Sequence, residues 1–532
     1  MVTTSKQGRT NSVLWDALWA PYRNTSQSLQ TQVRQMLVAA ILDGVLPRGS
    51  YVPSTRTLAR ALGVSRNTVI IVYHQLVDDG YLEAAARIGY VVADMLPETD
   101  LLHVTACKAP EQARNADSDA GQRCAEPNWQ RRMRQAPTGE RNIEKPCDWR
   151  DYPYPFLYGQ FDGRLFPLSD WRLCCLRALN LVESYEWGQD RIMRDNPALI
   201  QQIQARLLTQ RGIQARADEI IVTIGSQQGL SLAAELLVAR SVRVGMEDPG
   251  YPDARNIFLW RRAQLTGLPV DEQGLIVDAN LRALDYVYVT PSHQCPTTVT
   301  MSMQRRLALL DSARKFDFIV IEDDYETEDN WASKASPALK SLDRDGRVLY
   351  LGSLSKSLAP GLRIGYVVAP AVVVQALHRL RRLTVRHPSN FGQRALALFI
   401  GMGHYNALLQ KLAQVHAERG ALLKQAMQRH LPQCALTATT GGSAFWVRGP
   451  RGLDARALER LAAEQGVLIE PGDVFFLDQR HAVDADPKRY FRMGFTSIES
   501  SHIEAGVQAL ARAFKKLPRG EAVREQIKTG TG

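Results

Sequence analysis

The stretch from about residue 95 to 150 divides this chain, because its composition cannot build a core. KAPEQARNADSDAGQRCAEPNWQRRMRQAPTGERN is poor in aliphatic residues and rich in Ala, Arg, Gln, Asp and Pro. Burial there would not offset the entropy of ordering the chain. The stretch reads as a flexible linker, 95–150, between two bodies that move relative to each other. Length agrees, since 532 residues exceed one ordinary domain. With 45% hydrophobic and 23% charged residues, enough apolar material remains for a large core. No run approaches the roughly 18 uninterrupted apolar residues of a membrane helix. The opening MVTTSKQGRTNSVLWDALW has no apolar run after its basic residues, so it does not read as a signal peptide. A cytoplasmic location with no membrane partner is expected. Residues 516–532, ending in GEAVREQIKTGTG, are expected to be disordered.

The seven cysteines are odd in number, and their spacings fit no zinc motif. They read as reduced thiols with no metal site; Cys174-Cys175, in a helix-like stretch, reads as core packing. The net charge of +10 is compatible with a nucleic-acid partner without requiring one.

Residues 1–94 alternate short helical patterns with turn signals. Leu29, Val33, Met36, Leu37, Ala40 and Ile41 share one helical face, and Gly44, Pro47 and Gly49 end that helix. A second helix, Thr55–Leu62, has Ser54 to cap it and Gly63 to close it. Ser65 caps a third, from Arg66 to about Asp79. Tyr81–Glu83 and Gly89–Val92 then read as two strands joined by a turn containing Arg87. Three helices and a hairpin make a winged helix-turn-helix. A recognition helix needs short polar side chains and a cation at its N-terminus. Ser65, Arg66, Asn67 and Thr68 supply them: Arg66 reaches guanine, Asn67 pairs with adenine, and Arg56 is placed for a phosphate. Taken alone, the same four residues fit an ordinary helix cap equally well. The longer string closely resembles the GntR-type winged helix, through G-x-L-x-x-G, P-S-x-R-x-L-A, L-G-V-S-R-N-T-V, Y-x-x-L and D-G-Y-L-E. The resemblance implies that Ser54, Arg56, Ser65, Arg66, Asn67 and Thr68, with the wing near Gly89, face a double-stranded DNA operator.

From about 151 to 515, apolar strand-like runs alternate with helical periods, the sign of an α/β layer fold. The strand-like run Phe318–Ile321 ends in Glu322-Asp323-Asp324-Tyr325, and ligands in α/β folds collect at such ends. The next run, Val348–Gly352, leads into Ser353-Leu354-Ser355-Lys356, and Arg363 follows. Upstream, Ile220–Thr223 runs into Gly225-Ser226-Gln227-Gln228 and a helix, a phosphate cradle in form. Glu247-Asp248-Pro249-Gly250-Tyr251 offers an aromatic face. Each feature alone has a plainer use as a solvated charge, a turn or core. Together they meet the four needs of pyridoxal 5'-phosphate: an amine for the aldehyde, a carboxylate for the pyridine nitrogen, a donor for the ring oxygen and a phosphate site.

The combination resembles the fold-type I aminotransferase group over 151–515. The whole chain resembles the MocR/GabR family of regulators, which fuses a GntR-type winged helix to that domain. The strings that carry the likeness are G-Q-F-D-G-R-L-F-P-L-S-D-W, E-D-P-G-Y-P, T-P-S-H-Q-C-P-T, E-D-D-Y-E-T-E, L-G-S-L-S-K-S-L-A-P-G-L-R-I-G-Y and F-R-M-G-F. The resemblance implies Lys356 as the Schiff-base residue, Asp323 for the pyridine nitrogen and Tyr325 for the ring oxygen. It assigns Ser226, Gln227, Ser353 and Arg363 to the phosphate, Tyr251 to stacking, and Arg492 to an effector carboxylate. The chain departs from the family at Thr298, often glycine, at Cys295, often aromatic, and at Asp253, where some relatives carry a second arginine. Glu186-Trp187-Gly188-Gln189-Asp190 lacks the usual glycine-rich pattern. Two functions follow from the likeness. One is a homodimeric regulator, its subunits arranged head-to-tail with domains swapped or not, that senses the cofactor or an amine-bearing effector without needing catalysis. The other is a working aminotransferase that carries a DNA-binding domain.

Overall fold

The computed structural model describes residues 15–23, 28–47, 49–85, 89–93, 128–133, 140–326, 336–354, 356–437, 441–477 and 486–517. The chain divides into two compact units, Met1–Pro127 and Asn128–Gly532. Cys107, Cys124, Arg87 and the tail beyond residue 517 lie outside the described residues.

In the first unit the helices run Leu29–Leu42, Thr55–Leu62 and Arg66–Asp78, and the strands Leu82–Ala85 and Gly89–Val92 pair antiparallel. Each start is capped as a short hydroxyl residue caps a helix. Ser54 Oγ accepts from Thr57 N at 3.2 Å, and Ser65 Oγ from Thr68 N at 3.1 Å. Gly63 stops the second helix at φ +67, a conformation that disfavours any side chain. The helices converge on Val33, Leu37, Leu58, Val69, Val72 and Leu76, all fully buried. Each such side chain contributes about 1.5–3 kcal/mol. Tyr73 is buried with them, donates to the Pro53 carbonyl at 2.8 Å and packs edge-on against Tyr90 of the wing.

The second unit is built on an eight-stranded sheet. Its order is Ile220–Thr223, Gly365–Val368, Val348–Ser353, Ile319–Asp324, Tyr286–Val289, Arg243–Asp248, Gln264–Asp271, Gly274–Leu275. The five strands from Val348–Ser353 to Gln264–Asp271 are parallel, and Gly365–Val368 is antiparallel to both of its neighbours. Helices cover both faces, as buried parallel strands require. Gly225–Leu237, Pro252–Trp260 and Ala371–Thr384 pack around Ile221, Tyr288, Ile321 and Leu351. Asn390–Gly401 contributes to a separate cluster containing Val222, Tyr350 and Tyr366. A smaller antiparallel sheet, ordered Ala435–Leu436, Ala444–Arg448, Tyr490–Gly494, Glu470–Pro471, carries its own core. Residues 140–150, placed in the linker by composition, belong to the second unit and bond to it. Arg141 donates to the Phe476 and Leu477 carbonyls at 2.7 and 3.0 Å. Among the described residues, no group of His, Cys, Asp and Glu is placed to hold a metal, and no helix is long and apolar enough to cross a membrane.

Candidate cofactor pocket and nucleic-acid interface

The parallel strands bring the pocket together. Val348–Ser353 pairs with Ile319–Asp324 so that Leu351 lies beside Asp323 and Gly352 beside Asp324. Lys356 therefore emerges three residues beyond the end of one strand, next to the acidic end of the other. Strand alternation sorts the three carboxylates. Glu322 accepts from the Leu339 and Lys340 amides, both at 2.8 Å, and Asp324 pairs with buried Arg211 at 2.8 Å. Asp323, on the opposite face, takes one bond, from Tyr288 Oη at 2.8 Å. Its Oδ1 is buried without a partner. Burial pushes its carboxyl up to about 7, against the pull of the Tyr288 hydroxyl.

Lys356 Nζ stands 4.3 Å over the Tyr158 ring and has no hydrogen-bond or ion-pair partner among the described residues. Protein surrounds it, yet more than a third of the residue stays open, because it lines a cleft with Gly159, Glu326 and Ser443. Burial pushes the ammonium down to about 8, with Lys145 and Arg492 acting in the same sense and Glu326 and Glu470 opposing. The hydrated mouth of the cleft limits that depression. Gly159 sits at φ +65, the left-handed region that favours glycine, and a Cβ there would meet the flexible end of Lys356, Nζ, at 2.5 Å, so a side chain would displace the amine.

Arg492, on strand Tyr490–Gly494, faces Glu470 across the small sheet and donates Nε to it at 2.7 Å. Its guanidinium lies 4.0 Å over Tyr158, and its terminal nitrogens have no hydrogen-bond partner among the described residues. Tyr325 donates to the His293 carbonyl at 2.8 Å and, with Tyr251, packs on the cluster around Cys295, Trp446 and Phe475. Ser226 and Gln227 lie in the first turn of helix Gly225–Leu237. Arg363, at φ +49, donates to the Ile224 carbonyl at 3.3 Å just before that helix. Ser353 ends its strand, half-buried. The departures also have structural consequences. Thr298 holds φ +61, where glycine is the easier residue, and Asp253 accepts from Tyr251 Oη at 3.0 Å.

In the first unit Ser54, Arg56, Ser65, Arg66 and Asn67 are exposed at the starts of two consecutive helices, and Thr68 is half-buried. The Ser54 and Ser65 hydroxyls also bond Thr57 and Thr68, both at 2.8 Å, so the caps and the polar surface are the same residues. Gly89 is exposed at φ +117 with open space around it.

Residues 193–510 match the family of aminotransferases of class I and II, and residues 29–92 match the gntR family of bacterial regulatory proteins. The HTH-type transcriptional regulator TauR of Rhodobacter capsulatus is 39% identical over 488 residues, 92% of this chain and 97% of that protein. The probable rhizopine catabolism regulatory protein MocR of Rhizobium meliloti is 31% identical over 94% of this chain and 97% of its own. This chain belongs to the MocR-type transcriptional regulators. It is a DNA-binding regulator fused to an aminotransferase fold. The second part of this MocR-type chain is similar to Pyrococcus horikoshii kynurenine aminotransferase, at TM-score 0.64 and 26% identity, over 71% of this chain and 96% of that one.

Sequence reasoning missed Tyr158, Glu470, Lys145 and Tyr288, and it gave no role to Gly159, which opens the G-Q-F-D-G-R string. Tyr158 immediately precedes the G-Q-F-D-G-R string, and Tyr288 sits in an alternating strand pattern, but neither position announces a partner.

Proposed function

We propose that this regulator binds pyridoxal 5'-phosphate at Lys356 and senses the cofactor, or an amine-bearing acid joined to it, to change how its winged helices engage an operator. The observation that carries the reading is Asp323 Oδ1, a buried carboxylate oxygen without a partner among the described residues, near a lysine that has no hydrogen-bond or ion-pair partner among them. Burying an unsatisfied acceptor costs about 1–3 kcal/mol, which a donor on a bound ligand would recover. A protonated pyridine nitrogen satisfies it.

In this reading Lys356 supplies the amine for the aldehyde carbon, kept partly neutral by its surroundings. Asp323 holds the ring nitrogen, Tyr325 the ring oxygen, and Tyr251 the ring face. Ser226, Gln227, Ser353 and Arg363 hold the phosphate at a helix start that favours an anion. Arg492 receives the effector carboxylate on its terminal nitrogens. When bound, the cofactor supplies an electrophilic carbon and an electron-withdrawing ring. Here that chemistry serves recognition of an amine rather than turnover. The effector shifts the protein only as far as it binds two states unequally.

Ser54, Arg56, Ser65, Arg66, Asn67 and Thr68, with the wing at Gly89 and Arg87, contact DNA. Leu168, Leu181, Val182 and Tyr185 expose 68%, 72%, 76% and 69% of their surface on neighbouring helices, which supports a homodimer closed over that patch. Two winged helices then read repeated half-sites. The protein works in the cytoplasm.

The test is spectroscopic. Purified protein incubated with the cofactor gains a visible absorbance band, and Lys356→Ala loses it while keeping its melting curve. A colourless wild type ends the reading; sustained amino-group transfer at about one turnover per second or more, an ordinary enzyme rate, ends its claim that the chain regulates without turnover.

A further inference from the structure

Residues 140–147 lead the chain from the linker into the second unit, and three of them are tied to groups of the pocket. Asn142 Nδ2 donates to Asp253 Oδ1 at 2.9 Å, and Tyr251 Oη donates to the other oxygen of the same carboxylate at 3.0 Å. Ile143 packs on the cluster that also holds Tyr251, Tyr325 and Cys295. Lys145 Nζ lies 3.3 Å from Glu470 Oε1 and donates to the Tyr158 carbonyl, while Glu470 Oε2 accepts from Arg492 at 2.7 Å. Arg141 anchors the start of the segment: its side chain donates to the Phe476 and Leu477 carbonyls, and its own carbonyl accepts from Arg255 at 2.5 Å.

We propose that residues 140–147 are a strap that reports whether the Arg492 position is filled, with Lys145 as the positioning residue that links the two. The inference rests on the cofactor reading above and adds a route out of the pocket.

The charges give its direction. Glu470, 1% exposed, is shared by two cations, Arg492 at 4% and Lys145 at 27%. The group of three therefore carries one surplus positive charge. A carboxylate arriving on the terminal nitrogens of Arg492 neutralises that surplus in a site largely screened from water, where charges act strongly on one another. Lys145 then faces two anions in place of one and is drawn inward, and the strap tightens. An occupant without a carboxylate leaves the group as it was. The strap is continuous in sequence with the segment that leads back to the DNA-binding unit, so a change in its order is passed on along the chain.

Two probes separate the carboxylate from the rest of the ligand. Pyridoxamine phosphate lacks it, and N-(5'-phosphopyridoxyl)-alanine carries it. Binding of each to the full chain is measured by calorimetry, and amide hydrogen exchange is followed over 140–147. The alanine conjugate slows exchange there by about fivefold or more relative to pyridoxamine phosphate, the lower end of ordinary coupling between sites. Lys145→Met, which keeps the stem and removes the charge, abolishes the difference, and Lys145→Arg restores it. The wild-type comparison stands whether or not the Met variant folds well. Conjugate binding with unchanged exchange at 140–147, or full slowing in Lys145→Met, overturns the strap alone. If neither compound binds, the cofactor reading falls and the coupling falls with it.

Discussion

Replacing Asp323 by Asn separates the cost of this carboxylate from its use. In the empty protein the group is a burden, because burial raises its pKa from 3.8 to about 7. An acid whose folded pKa is raised destabilises the fold as pH climbs through the unfolded pKa, and the loss levels off above the folded one. That rise corresponds to roughly 4 kcal/mol forgone above pH 7. Asn keeps an acceptor for Tyr288 but leaves its amide N–H groups short of partners, at about 1–3 kcal/mol. The empty Asp323→Asn protein is therefore more stable than wild type by about 1–3 kcal/mol at pH 8, a rise of about 1–4 °C in melting temperature for a unit of this size. Below pH 4 the carboxyl is protonated in both states, the burden vanishes and the variant is the less stable by its amide cost; the order reverses between pH 4 and 7. Cofactor binding goes the other way. Losing a charge-assisted bond to the ring nitrogen costs about 1.5–3 kcal/mol, or about 10- to 150-fold in affinity. Melting scans across pH, without and with cofactor, read both effects. An empty variant less stable than wild type at pH 8, or one that binds the cofactor as tightly as wild type, would refute the reasoning.

Three further outcomes are expected. The rate of covalent cofactor uptake rises with pH and levels off between about 8 and the ordinary lysine value of 10.5, because the neutral amine of Lys356 reacts; stopped-flow absorbance that still climbs beyond pH 10.5 contradicts it. Arg66→Ala or Asn67→Ala weakens operator binding by about 5- to 150-fold, equivalent to about 1–3 kcal/mol for a base contact, whereas Arg56→Ala weakens all sequences alike and lowers the salt dependence; fluorescence anisotropy at several salt concentrations distinguishes the two. Changing Leu181 and Val182 together to Asp yields a monomer by light scattering, and a persistent dimer places the interface elsewhere.

Much of the first unit was legible because its signals are local. Ser54, Ser65, Gly63 and the spacing of Leu29 to Ile41 each act within one or two helical turns, and the observed helices start where those residues dictate. Lys356 and Asp323 were legible for another reason: each closes an apolar run, and the ends of parallel strands converge. Which of Glu322, Asp323 and Asp324 faces the site follows from strand alternation, but only once Arg211 and the Leu339 and Lys340 amides are seen to occupy the other two. Glu470, Lys145 and Tyr158 were not legible. Glu470 lies 312 residues from Tyr158 in sequence, and none of the three ends a strand of the large sheet or sits in a motif. The segment 140–150 shows the limit of composition as a guide. Polar residues that cannot form a core can still bind the edge of one, as Arg141, Asn142 and Lys145 do through carbonyls and carboxylates.

The central claim is that filling the pocket at Lys356 changes DNA binding. Footprinting with the DNA upstream of the regulator's own gene, with and without pyridoxal 5'-phosphate and for both wild type and Lys356→Ala, tests it most directly. The account predicts a footprint or affinity that shifts with the cofactor in the wild type and stays constant in the variant. An identical shift in both proteins, or none in either, contradicts it.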